Sequence, residues 1–197
     1  MELFPEPFIG LVDAPIVLLN LNPGFDAQSD PNWHRNPIMQ EAVEANLTQR
    51  PQEYPFYPLS PDFDGSPIAK WWRRLLAPWI TQNPDNRKHV AENVLAVELF
   101  PYHSKMYGRF APSRLQGLAS YTYSRSLVAH AIKRNAKILV LRSQHEWQEA
   151  VPGLAAYREV YHLGSSSRSP STETVTIHGR SVALETPADV ASSHTTI

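Results

Sequence analysis

The stretch IVLLNLNPGFDA, residues 16–27, decides the fold of this chain. It begins as an uninterrupted apolar run and ends in two asparagines, a proline and a glycine. A strand with one solvated face alternates apolar and polar residues, whereas a continuous apolar run is typical of a strand buried on both faces. Residues 16–21 are therefore predicted to form a central strand of a parallel sheet. Ligands bind beyond the carboxyl ends of such strands, so the residues that follow are candidates for function.

Three further apolar runs have the same character, and helical patterns separate them. They are residues 94–99, 138–141 and 160–163. This alternation predicts an α/β protein with three layers, αβα, around a four-stranded parallel sheet. Near the end of the chain, residues 174–177 and 181–184 flank a His-Gly-Arg turn. They predict a hairpin or an antiparallel edge to the sheet.

Local signals place the helices between these strands. Asn36 and Ser66 each precede a proline, which is the pattern of a helix N-terminus. Ser143 stands three residues before Glu146 and predicts a capping box that opens another helix. The stripe Trp71, Trp72 and Trp79 is interpreted as core. The proline- and aromatic-rich residues 50–67 are predicted to form a functional loop.

Composition restricts the class of protein. A length of 197 residues predicts a single domain, 1–197, and the formal net charge of −1 shows no basic excess of the kind that marks many nucleic-acid-binding proteins. The absence of cysteine excludes disulfides, cysteine nucleophiles and thiolate metal sites. The first residues lack the pattern of a signal peptide, and no apolar run approaches the roughly 18 residues of a spanning helix. We expect a cytoplasmic protein with no membrane partner, and a monomer is favoured.

Polar, aromatic and small residues follow all four predicted strands, where one edge of the sheet would bring them together. The candidates after the first strand are Asn20, Asn22, Pro23, Gly24, Phe25 and Asp26. Those after the second are Glu98, Phe100, Tyr102 and His103, and those after the fourth are His162, Ser165, Ser166, Ser167, Arg168 and Ser169. Glu98 stands out because a buried carboxylate is costly unless it is paired. Pairing with Arg142 or Lys105 is the structural alternative to a catalytic role.

This arrangement resembles the uracil-DNA glycosylase superfamily over residues 16–172. Leu21-Asn22-Pro23-Gly24 matches the Asn-Pro-Gly core of the first motif in its mismatch-specific and single-strand-selective branches. Residues 97–103 fall on the second site of the family, with Val97-Glu98-Leu99 where the family has a base-reading asparagine. Residues 165–171 stand where the family has a short Ser/Pro loop, which opens here with serine instead of histidine or asparagine, and His162 lies upstream.

The resemblance implies a DNA glycosylase-like hydrolase that cleaves a nucleobase–sugar bond with a positioned water. Asn22 would position that water, and Asp26 or Glu98 would supply negative charge. Phe25 or Phe100 would stack on a flipped-out base, and the backbone after Pro23 would bind a base oxygen. His103 would complete the catalytic group with Asn22, Asp26 and Glu98, through contacts to base or phosphate. The base would also be contacted by Asn20, Gly24, Tyr102 and His162. Phosphate would be contacted by Ser165, Ser166, Ser167, Arg168 and Ser169. The implied partner is DNA, possibly single-stranded, or another nucleobase-containing ligand.

Other interpretations stay open at this stage. The chain is alternatively a non-catalytic module of the same fold that binds nucleic acid or a nucleotide, or an α/β enzyme for another small polar substrate. Asn20 and Asn22 also suit a plain Asx-type turn at a strand end. No metal or other cofactor is expected, because the eight histidines show no His-x-x-x-His pair on a helix and the carboxylates no close cluster. Gly-x-Ser-x-Gly and phosphate-binding glycine loops are missing as well.

Overall fold

A computed structural model describes residues 3–80, 86–105 and 115–162, with the backbone of residues 176–177 and 180–181. Its five main strands are β1 Phe8–Gly10, β2 Ile16–Asn20, β3 Val94–Glu98, β4 Lys137–Val140 and β5 Val160–His162. They form one sheet in the order β1-β3-β2-β4-β5. Strands β2 to β5 are parallel, and β1 is antiparallel to β3. The predicted α/β class and its four parallel strands are therefore confirmed, with strand ends that differ from the predicted ones by at most one residue.

The predicted number of strands and the predicted edge are wrong in detail. The sheet has a fifth strand, and its antiparallel edge is β1 from the amino-terminal part of the chain. Strand β1 was not predicted because it has only three residues and lies just after prolines at positions 5 and 7, which are typical of loops. The predicted hairpin forms a small sheet of its own, with β6 Thr176–Ile177 antiparallel to β7 Arg180–Ser181. The rest of its predicted length lies outside the described residues.

Seven α-helices are found within the described part of the chain. They are α1 Asp30–Trp33, α2 Pro37–Leu47, α3 Pro67–Leu75, α4 Ala77–Ile80, α5 Asn86–Asn93, α6 Ala119–Lys133 and α7 Gln144–Ala150. The predicted caps of α2 and α3 are confirmed, because the side chains of Asn36 and Ser66 accept hydrogen bonds from the backbone of the first turn. The capping box at α7 is wrong, since Ser143 adopts a left-handed conformation with φ of 59° and its side chain caps nothing. None of the described helices is long and apolar enough to cross a membrane.

The strands send alternate side chains into two cores, one on each face of the sheet. Ile16 and Leu18 pack in the core that α2 to α5 cover, and Val17 and Leu19 pack in the core under α6 and α7. Burial on both faces explains the uninterrupted apolar run that opens the strand. Helices on both faces make the arrangement compatible with three layers. The segment of residues 50–67 contributes buried aromatic side chains to the first core, where a functional loop was expected.

The outer edge of β1 is closed by one buried side chain. The backbone N–H of Gly10 donates to Asn46 Oδ1 over 2.9 Å, and Asn46 Nδ2 donates to the carbonyl of Phe8 over 2.8 Å. These two backbone groups point to the same side of the strand, away from β3, so α2 protects an edge that would otherwise be open. Just before β1, the backbone N–H of Glu6 donates to the carbonyl of Pro101 over 2.9 Å. These contacts fix Glu6 beside the end of β3.

Candidate functional site

A pocket of about 480 Å³ opens where β2 and β3 end. This volume is in the usual range of small-molecule sites. Eight residues singled out from the sequence line it, namely Asn20, Asn22, Pro23, Gly24, Phe25, Asp26, Glu98 and His103. The half-buried rings of Trp33 and Trp71 contribute further aromatic surface, and Lys105 and Arg142 are exposed cations among the lining residues. Since Arg142 follows β4, the predicted convergence is present for three of the four parallel strands, β2, β3 and β4.

Other predicted site residues lie elsewhere or outside the described residues. Phe100 packs against the core under α6 and α7, with its ring centre 4.9 Å from that of Tyr102, and neither residue lines the pocket. His162 lines a separate depression beside α7. The described walls of that depression hold no cluster of acidic or histidine side chains. The predicted phosphate-binding residues, Ser165, Ser166, Ser167, Arg168 and Ser169, lie outside the described residues.

Asn22 is held by two hydrogen bonds from its amide nitrogen. Its Nδ2 donates to the carbonyl of Pro23 and to Ser104 Oγ, each over 2.8 Å. Because a carbonyl can only accept, the nitrogen of the amide must face Pro23, which fixes the orientation of the group. Within the described structure Oδ1 accepts no hydrogen bond, so this oxygen is the part of Asn22 that remains for a ligand. The contact with Ser104 also ties the loop after β2 to the loop after β3.

Asp26 organises the turn that leads into α1. Its Oδ1 accepts from the backbone N–H of Gln28 and its Oδ2 accepts from Ser29 Oγ, both over 2.9 Å, while its own N–H donates to Asp30 Oδ2 over 2.6 Å. The hydrogen bond from Gln28 and that from Ser29 hold the pKa of this exposed carboxyl below its usual range. Asp26 is therefore a fixed negative charge among the residues that line the pocket.

Glu98 is the last residue of β3, and its side chain is almost completely buried. Its Oε1 accepts from Asn20 Nδ2 over 3.1 Å, whereas its buried Oε2 has no hydrogen-bond partner within the described structure. Burial raises the pKa of Glu98 to about 8; the nearby Glu6 adds to this effect, and the Asn20 hydrogen bond and Arg142 oppose it. At neutral pH the group is thus mainly a neutral carboxylic acid. The structural alternative to a catalytic role, an ion pair of Glu98 with Arg142 or Lys105, is not found within the described residues.

Trp147 fixes the strand end that carries the partner of Glu98. The indole Nε1 donates to the backbone carbonyl of Asn20 over 2.7 Å in the buried interior. Asn20 and Glu98 are also directly paired between β2 and β3. The position of the buried carboxyl group therefore follows from the register of the sheet.

A second cluster, formed by Glu6, His34 and His103, was missed by sequence reasoning. One oxygen of Glu6 and one ring nitrogen of each histidine lie within 4.8 Å of one another. Glu6 Oε1 accepts from the hydroxyl of Tyr57 over 3.2 Å and lies 3.8 Å from His103 Nε2. The rings of His34 and His103 meet edge to face with centres 4.8 Å apart. All three members of this cluster line the pocket.

Burial dominates the protonation of this cluster. It raises the pKa of Glu6, and the charge of His103 and the hydrogen bond from Tyr57 oppose the increase. Burial lowers the pKa of His34 to about 4, so its imidazole is neutral at pH 7. A faint sequence signal for Glu6 exists, because it is the only charged residue between Leu3 and Val12. No spacing pattern connects it with the two histidines, which belong to distant segments.

The tryptophan stripe divides between core and pocket. Trp72 and Trp79 are buried, as predicted. Trp71 packs edge to face on Trp72 with ring centres 4.5 Å apart, and it is only half-buried because it also lines the pocket. The pocket therefore combines aromatic faces with a set of polar groups near the strand ends.

No family model matches this chain, and no curated protein or solved structure is significantly similar to it.

Proposed function

We propose that the pocket binds a nucleobase and that the chain hydrolyses the bond between that base and its sugar, with a nucleotide flipped out of DNA as the substrate. The observation that carries this proposal is the fixed amide of Asn22 at the end of β2, whose Oδ1 accepts no hydrogen bond from the described residues. The Asn-Pro-Gly motif and its position after the first parallel strand also support it, because they resemble the first motif of the uracil-DNA glycosylase superfamily. A three-layer fold of that superfamily is part of the same proposal.

Asn22 suits the positioning of a water molecule. A water that donates one hydrogen to Oδ1 keeps its lone pairs free to attack the anomeric carbon of the sugar. An amide is a poor base, so its contribution is orientation, and the bonds to Pro23 and Ser104 keep that orientation fixed. The water oxygen then bonds to the sugar while the base leaves with the electron pair of the broken bond, and the proton that the water gives up ends on the released base.

Charge and stacking in the pocket suit the same reaction. The transition state has positive charge on the sugar, which an ionised carboxylate such as Asp26 stabilises. The protonated carboxyl of Glu98 has an oxygen with no partner among the described residues, and its O–H can donate to the departing base. The rings of Phe25, Trp33 and Trp71 offer faces for a planar base.

The test is release of free base from single- and double-stranded oligonucleotides that contain uracil or damaged bases. We expect base release by the native chain and a decrease of about 100-fold in Asn22→Ala, because the water loses its orienting group. Chromatography of the free base and cleavage at the abasic site measure the reaction. Asn32→Ala is the matched control, since Asn32 is exposed on α1 and does not line the pocket. No release from any substrate with enzyme in excess, or equal release by Asn22→Ala, would contradict the proposal.

One observation favours a second function, a non-catalytic module that binds nucleic acid or a nucleotide. Glu98 stands where the resembled family has an amide that reads the base, so a catalytic pocket would have to recognise its base differently. A binding module would hold DNA with an affinity that falls as salt rises, would keep it in Asn22→Ala, and would release no base. If DNA has no effect while a small polar ligand raises the melting temperature, the substrate is of another class.

A further inference from the structure

We infer that Glu6, His34 and His103 form a binding site for one divalent transition-metal ion, with zinc as the best-fitting ion. Two imidazoles and one carboxylate are an established ligand set for catalytic zinc. The three donor atoms lie within 4.8 Å of one another. Zinc ligands at roughly 2.0–2.2 Å from the metal stand about 3.3–3.6 Å apart in a tetrahedral site, so small side-chain rotations close the cluster around an ion. This inference goes beyond the proposed function and does not depend on it.

The orientation of His103 is that of a metal ligand. Its Nδ1 lies 2.8 Å from the carbonyl oxygen of Gly24. A carbonyl cannot donate, so Nδ1 carries the hydrogen, and a neutral ring then presents a lone pair at Nε2. Buried Nε2 has no hydrogen-bond partner within the described structure and faces Glu6 Oε1 at 3.8 Å. Metal-bound histidines characteristically donate their other N–H to a carbonyl or carboxylate in this manner.

The burial of the other two members, His34 and Glu6, also favours a bound ion. Buried Nδ1 of His34 also lacks a hydrogen-bond partner among the described residues, which costs free energy in a protein interior. Glu6 is 3% exposed, and a buried carboxylate is usually paired or bound to a metal. The hydroxyl of Tyr57 donates to Glu6 Oε1 and orients it, which is the role of an outer hydrogen bond at a metal site.

An ion pair between Glu6 and His103 is the simpler arrangement, but it leaves part of the cluster unexplained. The 3.8 Å separation is too long for a hydrogen bond, and the pair gives no partner to His34. A metal ion, in contrast, would bind one nitrogen of each histidine and one oxygen of Glu6. Since the cluster lines the pocket, three protein ligands also leave a coordination position open to a bound molecule. Such an ion would act there as a Lewis acid toward a ligand or a water.

The test measures metal binding by the full chain after removal of metals with a chelator. Zinc alone is titrated by calorimetry, and cobalt is added separately to report its ligands by absorption. We expect one zinc per chain, a weakening of at least about 100-fold in His34→Ala and His103→Ala, and of about tenfold in Tyr57→Phe, which keeps all three ligands. His145→Ala is the control, because His145 is highly exposed on α7 and outside the cluster.

Circular dichroism of each variant shows whether the loss of a ligand has prevented folding. If it has, Tyr57→Phe still tests the inference, because it keeps all three ligands. The inference is overturned if the native chain binds no zinc, if binding is unchanged in both histidine variants that fold, or if it is lost in His145→Ala instead. Base release has no part in this readout. Zinc binding without base release would therefore remove the proposed function and leave the metal site standing, and the reverse result would do the opposite.

Discussion

Glu98→Gln is expected to make the chain more stable than the native protein by a few kcal/mol at about pH 9, and by less than about 1 kcal/mol at about pH 5. Glutamine has almost the same shape as the protonated acid, and its Oε1 can still accept from Asn20. The difference in the free energy of unfolding between Glu98→Gln and the native chain therefore reports the effect of the proton on Glu98. Urea unfolding across this pH range measures it.

The sign follows from the two pKa values of Glu98. The value in the unfolded chain is near the ordinary 4.5, and the value in the folded chain is about 8. Between these values the folded state binds a proton that the unfolded state has lost, so the free energy of unfolding decreases as pH rises. Its slope is about 1.4 kcal/mol per pH unit inside this window and zero on either side. His34 titrates in both proteins, so its effect cancels in the difference, whereas the coupling between Glu6 and Glu98 is part of the difference that is measured.

Glu92→Gln is the control for this measurement, because Glu92 is exposed on α5 and its change should show no such dependence. Parallel stability curves for Glu98→Gln and the native chain would show that Glu98 is not held protonated. Under the proposed function, ionisation also replaces a donor by an acceptor. Base release should therefore decline as the pH rises through about 8, where the folded chain loses this proton.

Gly10→Ala is expected to destabilise the fold by at least about 3 kcal/mol, enough to reduce the yield of folded protein. Gly10 has φ of 109°, a conformation that residues with a side chain rarely adopt. An added Cβ would lie 2.2 Å from the carbonyl oxygen of Val94 and 3.3 Å from the ring of Phe56. The carbonyl belongs to β3 and cannot retreat without disturbing the pairing of the sheet.

Chemical denaturation of Gly10→Ala beside Gly117→Ala tests this expectation. A Cβ at Gly117 would meet no atom within 4 Å, and its φ is not in the left-handed region, so that variant should unfold at the native midpoint. An unchanged midpoint for Gly10→Ala would mean that β1 can leave β3 at little cost. Zinc binding is a second readout, because β1 is what places Glu6 in the pocket.

Signals confined to a short stretch of sequence predicted most of the fold. The apolar run of β2 reports burial on both faces, and Asn36 and Ser66 bond to the backbone within three residues, so no distant partner is needed. The box at Ser143 failed because its backbone turns left-handed, which the residue types do not reveal. Strand β1 was missed because its three residues gain their stability from β3 and from Asn46, which lie far along the chain.

The contrast between local signals and dependence on distant segments also applies to the residues of the candidate site. Asn22, Glu98 and His103 were predicted because they follow strands whose ends must meet in a parallel sheet. Glu6 and His34 were missed because their positions depend on β1 and on the short helix α1, and neither element carries a sequence signal that predicts a pocket. Phe100 shows the opposite error, since being close to a strand end does not determine the side of the sheet that a ring faces.

The short strand β1 also links the occupancy of the pocket to the rate of hydrogen exchange at the edge of the sheet. Three residue pairs join it to β3, and such a segment opens at a lower cost than the whole domain. Anything bound through Glu6 must be released, or must lose that contact, before the segment can open. Its binding free energy is then added to the cost of opening. Hydrogen exchange at Phe8, Ile9 and Gly10 would slow as the pocket fills, while exchange in β2 would stay limited by global unfolding.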